Sequence, residues 1–189
     1  FLQKPKWIVG YSDVTVLHAK MQSLGIESLH ATMPINFQDN SKQALDTLFD
    51  ALCGKEIKYD LPQQTLNVLS MMQGEVVGGN ISVLYSLLGS DIFPDVEGKV
   101  LFLEDLDEYL YHIDRMMMAF QRAGIFDKIS GLIIGGLTKM HDNAIPFGMT
   151  AEEIISEKIK DKNIPTVFNF PAGHINDNRA IILGRRICN

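Results

Sequence analysis

Short apolar runs of strand length alternate along this chain with segments whose apolar residues recur at helical spacing. In the first such unit, residues 6–11 read as a strand, and one face of a helix follows at Val14, Leu17, Met21 and Leu24. Strands that alternate with helices in this way are typical of α/β proteins with a largely parallel sheet. The sequence therefore predicts an α/β fold.

The same alternation continues through the rest of the chain. The predicted strands are residues 27–31, 74–77, 99–108, 130–137, 164–170 and 180–188. The predicted helices are residues 41–53, a segment after a glycine turn at 78–80, a core-facing helix at 111–124 and a solvated helix at 151–162. Ser41 is the predicted N-cap of the first of these helices. Residues 55–71 leave two interpretations open, a hairpin or a linker that crosses between two domains.

Composition argues against several classes of partner. Hydrophobic residues make up 46% and charged residues 21% of the chain, as in ordinary globular proteins. The formal net charge is -6 and no basic run is interleaved with aromatics, so we expect neither nucleic acid nor an anionic membrane as a partner. No apolar stretch approaches the roughly 20 residues that span a bilayer. Cys53 and Cys188 form no CxxC pair, which indicates neither a zinc site nor a disulfide framework.

The first residue is Phe1 rather than a methionine, and it lies in what reads as the lead-in to a strand. We therefore expect the chain to be a fragment of a longer protein. A signal peptide would lie upstream of Phe1, so its absence here carries no information about secretion.

A serine stands at the first predicted strand-to-helix corner, in the string GYSD. Ser12 could cap the first turn of the helix, since serine is a preferred N-cap residue. It could also be a nucleophile, because the backbone N–H of Asp13 and the positive end of the helix would then face an oxyanion. The GxSxG elbow of α/β hydrolases is not matched, since Val14 occupies the place of its second glycine.

A run of carboxylates follows the apolar strand VLFL, namely Glu104, Asp105, Asp107 and Glu108. They could bind a divalent cation, form a solvated loop, or supply one carboxylate that orients a catalytic histidine. Functional side chains in open α/β sheets lie just beyond the carboxyl ends of strands, which favours Glu104 or Asp105. Metal binding is the weaker alternative, because no histidine stands nearby at ligand spacing.

The histidines differ in their predicted surroundings. His174 follows the strand TVFNF in a loop shaped by a proline and a glycine, where a general base is well placed. His30 ends a strand and is a second candidate for the site. His18 and His112 lie within helical patterns as surface or packing residues, and His141 lies in a polar loop with no obvious partner.

Ser12, Glu104 and His174 together supply a serine, a carboxylate and a histidine, each at the end of a predicted strand. A serine hydroxyl is a weak nucleophile and needs a base, and the carboxylate holds the imidazole and stabilises its charged form. The combination predicts acyl transfer by a Ser-His-Glu triad.

Four strings carry a resemblance to a known family: KPKWIVGYSDVTVLH, GGNISVLYSLLGS, KVLFLEDLDEYLYHIDRM and FPAGHINDNRAIILG. Nearly end to end, the chain resembles the LD-carboxypeptidases, also called muramoyltetrapeptide carboxypeptidases, a family of serine peptidases. In that family the serine of a GYSD motif is the nucleophile, a glutamate of an FLED motif orients the histidine, and the histidine of a GH motif is the base. The matching positions are Ser12, Glu104 and His174.

The resemblance implies two domains. Residues 1–70 would be the C-terminal part of a Rossmann-like nucleophile domain, and residues 71–189 a swivelling β/α domain that carries Glu104 and His174. The site would lie in the cleft between them, and the protein would form a homodimer. Family members begin with a further stretch that includes an RGGYG-like turn, thought to supply a second oxyanion donor. Losing one such donor costs ~10²- to 10³-fold in rate, so the resemblance implies weak or no activity for this chain.

The resemblance also implies a substrate. The expected reaction releases the terminal D-alanine from L,D-linked murein tetrapeptides during cell-wall recycling, in the cytoplasm and without a cofactor or metal. A sister group cleaves the peptide-nucleotide antibiotic microcin C, and the loop FPAGHINDN resembles the recycling enzymes more closely. Gly79 and Asn80 of the glycine turn, together with His30, are further candidates for substrate binding, and packing is the favoured interpretation of the turn.

Two hypotheses from other classes remain open. The chain could be a non-catalytic ligand-binding or nucleotide-binding α/β module with GGN as a phosphate turn. The GxGxxG pattern is absent, and no acidic residue follows GGN at the expected distance in the right context. A metal hydrolase built on the carboxylates after VLFL is the third hypothesis.

Overall fold

The computed structural model describes residues 2–186, in which strands and helices alternate. The strands are β1 (Val9–Gly10), β2 (Ser28–His30), β3 (Val76–Asn80), β4 (Val100–Leu106), β5 (Gly131–Thr138), β6 (Thr166–Val167) and β7 (Ile181–Leu183). The helices are α1 (Thr15–Ser23), α2 (Lys42–Leu52), α3 (Gln63–Leu69), α4 (Ile81–Leu87), α5 (Leu110–Arg122) and α6 (Ala151–Ile159). Within the described range, no helix is both long enough and apolar enough to cross a bilayer.

The strands form two sheets. β3, β4, β5 and β6 make a four-stranded sheet in that order, with every neighbouring pair parallel. β1, β2 and β7 make a smaller sheet in which β2 is parallel to β1 and antiparallel to β7. The predicted α/β fold with a largely parallel sheet is confirmed. Because β7 pairs with β2, residues 71–189 contribute a strand to the sheet of the first segment, and the domain division after residue 70 stays a prediction.

The largest apolar core lies between the four-stranded sheet and helices α4, α5 and α6. Leu101 and Leu103 of β4 and Met116 and Met117 of α5 are all buried there. Full burial of a side chain of this kind stabilises the fold by roughly 1.5–3 kcal/mol. The predicted core-facing helix is thus confirmed as α5, and these two methionines are packing residues.

A second apolar core joins the two sheets. Phe102 of β4 packs there with Leu183 of β7 and Leu69 of α3. Phe170 and Ala172 belong to the same core and lie in the loop between β6 and β7. Since His174 follows two residues after Ala172, this core holds the histidine loop against β4.

Helix α6 is half-buried, so the predicted solvated helix is wrong in this respect. Its buried residues are Ala151, Ile154, Ile155 and Ile159. These positions, i, i+3, i+4 and i+8, make one continuous apolar stripe, which packs into the core shared with α5 and the four-stranded sheet. The many charges of this segment concealed the stripe in the sequence.

Two other segments also differ from expectation, and one cap agrees. Residues 55–71 contain helix α3, so the hairpin interpretation is wrong. The glycine segment 78–80 is the extended end of β3 rather than a turn. Ser41 caps α2 as predicted, because its Oγ accepts a hydrogen bond from the Ala44 N–H at 3.0 Å.

Of the two cysteines, Cys53 is an exposed free thiol, and Cys188 lies outside the described residues.

Candidate active site

The corner between β1 and α1 presents Ser12 in an uncommon backbone conformation. Its φ angle is 62°, in the left-handed region, which costs a non-glycine residue roughly 1–2 kcal/mol. Ser12 opens the short 3-10 turn Ser12–Val14, and its side chain is partly exposed. Helix α1 begins at Thr15 without a side-chain cap, so the capping interpretation of Ser12 is not supported. Strain of this kind clusters at active sites, where it is part of how a side chain is presented.

A buried histidine of α1 holds the strand that leads to this corner. His18 Nε2 lies 3.0 Å from the Gly10 carbonyl oxygen, and its Nδ1 lies 2.9 Å from Ser28 Oγ. Burial, followed by the proximity of His30, lowers the pKa of His18 to about 4, although the contact with Gly10 opposes this. His18 is therefore neutral at pH 7, so Nε2–H donates to the carbonyl and Nδ1 accepts from the serine. Its place in a helical pattern gave no signal of this role.

Glu104 and His174 form a buried hydrogen-bonded pair. His174 Nδ1 lies 2.7 Å from Oε2 of Glu104, and the His174 backbone N–H donates to the same oxygen at 3.2 Å. The glutamate side chain is fully buried, whereas 14% of the histidine side chain is exposed. Because a carboxylate only accepts hydrogen bonds, Nδ1 carries the proton and Nε2 of the neutral ring is free to act as a base.

A β-bulge helps to aim the glutamate. The register of β4 against β5 shifts between Leu103 and Asp105, so that Gly135 and Gly136 together lie opposite Glu104. Bulges beside active sites re-aim side chains in this way. A Cβ atom on Gly135 would lie 3.2 Å from Cβ of Glu104, so the glycine leaves the room that the glutamate occupies.

The two side chains shift each other's pKa. Burial alone would raise the pKa of Glu104, but the hydrogen bond from His174 and the nearby His30 lower it to about 2. Burial alone would lower the pKa of His174, but its hydrogen bond to Glu104 and the negative charges of Glu104, Asp105 and Asp13 raise it. Glu104 therefore stays ionised, and His174 is a stronger base than a free imidazole.

Asp105 belongs to a different set of contacts, because successive residues of a strand face opposite sides of a sheet. Its carboxylate accepts hydrogen bonds from Asn80 Nδ2 at 2.8 Å and from the Ser82 N–H at 2.9 Å. Burial raises the pKa of Asp105, and these hydrogen bonds oppose the shift. Of the two carboxylates that the sequence favoured, Glu104 contacts the histidine and Asp105 holds the start of α4.

Gly79 and Asn80 lie where β3 meets α1. A Cβ atom on Gly79 would lie 2.5 Å from Thr15 Oγ1, and the Asn80 N–H donates to that hydroxyl at 3.0 Å. Asn80 Oδ1 accepts from the Val83 N–H at 3.1 Å and so caps α4. Both residues bring α1, which follows Ser12, close to the strand beside Glu104. Their role in substrate binding stays a prediction.

His30 lies at the end of β2 and is fully buried. Its Nε2 lies 3.8 Å from Oε1 of Glu104, and its ring meets that of Phe102 edge-on with the centroids 4.8 Å apart. The structure therefore places the imidazole against the carboxylate of the pair, away from solvent.

Tyr11 is a residue of the site that sequence reasoning missed. Its ring meets the ring of His174 edge-on with the centroids 4.8 Å apart, and its hydroxyl donates to Asn36 Oδ1 at 3.1 Å. Burial, and then the charge of Glu104, raise the pKa of Tyr11. Its position next to Ser12 in GYSD was the available signal.

Within residues 2–186, no hydrogen bond joins Ser12 to His174, and such contacts are often loose before substrate binds.

The remaining histidines pair with other carboxylates. His112 Nδ1 lies 2.5 Å from Oε2 of Glu108, and His141 Nε2 lies 2.6 Å from Oδ1 of Asp107. The prediction that His141 has no partner is therefore wrong, because the loop after β5 lies beside the end of β4. Among the described residues, no group of three or more His, Cys, Asp or Glu side chains could hold a metal ion.

The fold and this site define an α/β protein with a buried glutamate–histidine pair and a strained serine at a strand-to-helix corner. Residues 73–188 match the family model of the LD-carboxypeptidase C-terminal domain, and residues 1–31 match that of the LD-carboxypeptidase N-terminal domain. The first match covers more than half of the chain. The chain belongs to the LD-carboxypeptidase family, as the sequence motifs predicted.

Relatives with names and solved structures extend this comparison. The chain is 31% identical to a probable murein peptide carboxypeptidase of Bacillus subtilis, over 96% of this chain and 59% of that protein. It superposes on the crystal structure of muramoyltetrapeptide carboxypeptidase from Oxalobacter formigenes with a TM-score of 0.79 and 26% identity, covering 96% of this chain and 64% of that one.

The microcin C7 self-immunity protein of Escherichia coli has the same fold. Its complex with glutamyl sulfamoyl guanosine matches with a TM-score of 0.80 and 21% identity, over 98% of this chain and 64% of that one. The chain spans 61% and 59% of the length of two of the curated relatives it matches.

Proposed function

We propose that the protein is a serine LD-carboxypeptidase that releases the terminal D-alanine from L,D-linked murein tetrapeptides in cell-wall recycling. In this proposal Ser12 is the nucleophile, His174 is the general base and Glu104 orients the histidine. The observation that carries it is the 2.7 Å contact between Glu104 Oε2 and His174 Nδ1, which leaves Nε2 as the basic atom.

The reaction would run in two halves. Ser12 Oγ attacks the carbonyl carbon of the bond before D-alanine, and His174 Nε2 takes the hydroxyl proton. The oxyanion that forms accepts a hydrogen bond from the backbone N–H of Asp13. The C–N bond then breaks, His174 returns the proton to the leaving amine, and D-alanine departs from an acyl-serine. Water attacks that ester with His174 again as base, which frees the shortened peptide and restores the serine.

Glu104 would contribute through its charge and its position. Its low pKa keeps it ionised, so it stabilises the imidazolium that forms in each half of the reaction. Its Oε2 also accepts from the His174 backbone N–H, which limits rotation of the histidine loop.

The proposed substrate comes from the relatives. The Bacillus subtilis protein is named a probable murein peptide carboxypeptidase, and the Oxalobacter formigenes structure is that of a muramoyltetrapeptide carboxypeptidase. The loop FPAGHINDN also resembles the recycling enzymes. A homodimer and a cytoplasmic location, both implied by the family resemblance, belong to the same proposal.

The test is mass spectrometry of a murein tetrapeptide that ends in D-alanine, incubated with the protein and any residues that its gene encodes before Phe1. Loss of one terminal alanine with the wild type, but not with Ser12→Ala or His174→Ala, is the expected result. An intact tetrapeptide with all three proteins would contradict the recycling function. The 189-residue chain assayed alone is expected to be weakly active or inactive.

A second candidate is cleavage of a peptide-nucleotide amide of the microcin C type. The observation that favours it is the 28% identity to the microcin C7 self-immunity protein of Escherichia coli, over 61% of this chain and 33% of that protein. Cleavage of an aminoacyl sulfamoyl nucleoside, with the tetrapeptide left intact, would select this function. Absence of serine-probe labelling at Ser12 together with inactivity on both substrates would instead support a non-catalytic binding module.

A further inference from the structure

Polar atoms without a partner face one another behind the glutamate–histidine pair. Within the described residues, Oε1 of Glu104 and both ring nitrogens of His30 are buried and have no hydrogen-bond partner. His30 Nε2 and Glu104 Oε1 are 3.8 Å apart, and both side chains are fully buried. Buried polar atoms are almost always paired, so orphans that face each other call for an explanation.

We infer that His30 is a positioning residue that holds Oε1 of Glu104, so that Oε2 stays on Nδ1 of His174. This inference deepens the proposed function and rests on it where catalysis is measured. His30 is too deeply buried to contact substrate, so it acts only through the carboxylate.

The two oxygens of Glu104 have unequal surroundings. Oε2 accepts two hydrogen bonds, both from His174, and so has its partners on one side. Among residues 2–186, Oε1 has no hydrogen-bond donor, and the basic side chain that lies within 4.0 Å of it is that of His30. A carboxylate accepts hydrogen bonds but does not donate them, so the complementary state of His30 carries a proton on Nε2. A decrease of about 0.6 Å in the 3.8 Å separation would bring these atoms into the range of an N–H···O hydrogen bond.

The position of His30 in the fold explains why this contact matters for geometry. In the smaller sheet, His30 of β2 pairs with Gly10 of β1, two residues before Ser12. Glu104 belongs to β4 of the other sheet. His30 thus belongs to the smaller sheet, whose strand β1 leads to Ser12, and it lies against the carboxylate of Glu104 in the four-stranded sheet. It therefore links the two parts of the site directly.

The ring of His30 is itself held in place. Phe102, on the same strand as Glu104, meets it edge-on at 4.8 Å, and the rings of Tyr11 and His18 lie 6.3 Å away. His18 is engaged by Gly10 and Ser28 and so does not compete for the carboxylate. Because these neighbours fix the ring on its other sides, Glu104 Oε1 is the polar group to which the imidazole can donate a hydrogen bond.

The test compares His30→Leu, which removes the donor, with His30→Gln, whose amide can place an N–H near the position of Nε2. For His30→Leu we expect kcat to fall by roughly 10- to 100-fold with KM little changed, as for a small misplacement of a catalytic group. His30→Gln should recover most of the loss. The matched control is His112→Leu, which removes another carboxylate-paired histidine, on α5, and should leave kcat unchanged.

A second readout is independent of turnover. The low-field proton NMR signal of His174 Nδ1–H, assigned by its loss in His174→Gln, should broaden or shift in His30→Leu and return in His30→Gln. If the wild type does not cleave the tetrapeptide, the proposed function fails while this signal still tests the inference. The inference is overturned if His30→Leu leaves both the signal and kcat unchanged. It is also overturned if His30→Leu and His30→Gln weaken the signal and lower kcat to the same extent, each in parallel with a lower melting temperature.

Discussion

A Cβ atom on Gly173 would lie 2.7 Å from Oε2 and 2.9 Å from Cβ of Glu104. Gly173 also has a φ angle of 110°, which residues with a side chain rarely adopt. The residue before the proposed base is therefore restricted to glycine for two independent reasons, close approach and backbone conformation. Without that approach, the carboxylate could not reach the Nδ1 atom of His174.

Replacing Gly173 with alanine should separate the pair. The new methyl group would displace Glu104 or the histidine loop, and a displacement of 1 Å at a catalytic group can cost about 100-fold in rate. We expect kcat of Gly173→Ala to fall by about that factor while the protein remains folded. Steady-state kinetics and circular dichroism on the same samples provide the measurement.

The matched control for this substitution is Gly148→Ala. Gly148 has a φ angle of 86°, so the backbone strain is comparable, but a Cβ atom there would meet nothing within 4 Å. Activity of Gly148→Ala should stay near wild type. Equal losses in both variants would show that strain alone, rather than contact with Glu104, causes the effect.

The pH dependence of kcat/KM should report the raised pKa of His174. The base must be neutral in the free enzyme, so kcat/KM falls as pH drops through that pKa, and the midpoint should lie above 6.5. In Glu104→Gln the hydrogen bond to a charged carboxylate is lost, so the midpoint should move to lower pH. The overall rate should also fall, by roughly 10³- to 10⁴-fold, because the histidine loses its fixed tautomer.

Glu108→Gln is the control for that profile, because it neutralises the carboxylate of another histidine pair, that of His112. Its profile should match the wild type. A Glu104→Gln midpoint equal to that of the wild type would contradict the assignment of Glu104 as the group that raises the pKa of His174.

His18 should make the stability of the protein depend on pH. Its pKa is about 4 in the folded state against 6.5 ordinarily, so between these values the unfolded chain binds the proton and the folded chain does not. Stability is therefore lost as pH falls from 6.5 to about 4, by roughly 3 kcal/mol at 1.36 kcal/mol per pH unit. Urea unfolding at several pH values measures this slope.

The variant for this test is His18→Gln, which removes the titrating group but keeps a polar side chain. Its free energy of unfolding should be lower at pH 7, since Gly10 O and Ser28 Oγ lose their shared partner. The difference from the wild type should shrink towards pH 4. Two curves that stay parallel over this range would rule out a neutral buried His18.

The order of strands and helices could be predicted because it depends on local patterns. The same patterns pointed to Ser12 just after β1, to Glu104 in the C-terminal half of β4 and to His174 in the loop between β6 and β7, since functional side chains collect at the carboxyl ends of parallel strands. The choice between Glu104 and Asp105 could not be made locally. It depends on the face of β4 that meets the histidine loop and on the bulge at Gly135, both of which require the neighbouring strand.

The burial of His18 and His30 also could not be predicted from the sequence. His30 was a candidate for the site from its place at a strand end, but its burial against Glu104, like the contacts of His18, arises only when β1, β2 and β4 come together. The same holds for β7, whose antiparallel pairing with β2 joins residues about 150 positions apart. Long-range pairing of this kind leaves no local periodicity from which it could be predicted.

Substitution of Ser12 should separate catalysis from backbone strain. Both Ser12→Ala and Ser12→Gly remove the hydroxyl and should abolish turnover. Only glycine adopts a φ of 62° without penalty, so Ser12→Gly should relieve roughly 1–2 kcal/mol of strain in the folded state. The greater freedom of glycine in the unfolded chain offsets about 0.5–1 kcal/mol of this gain. We therefore expect Ser12→Gly to unfold at higher urea concentration than Ser12→Ala, with the alanine variant close to wild type. The opposite order would mean that the corner is not strained at Ser12, and that its left-handed conformation does not serve to present the nucleophile.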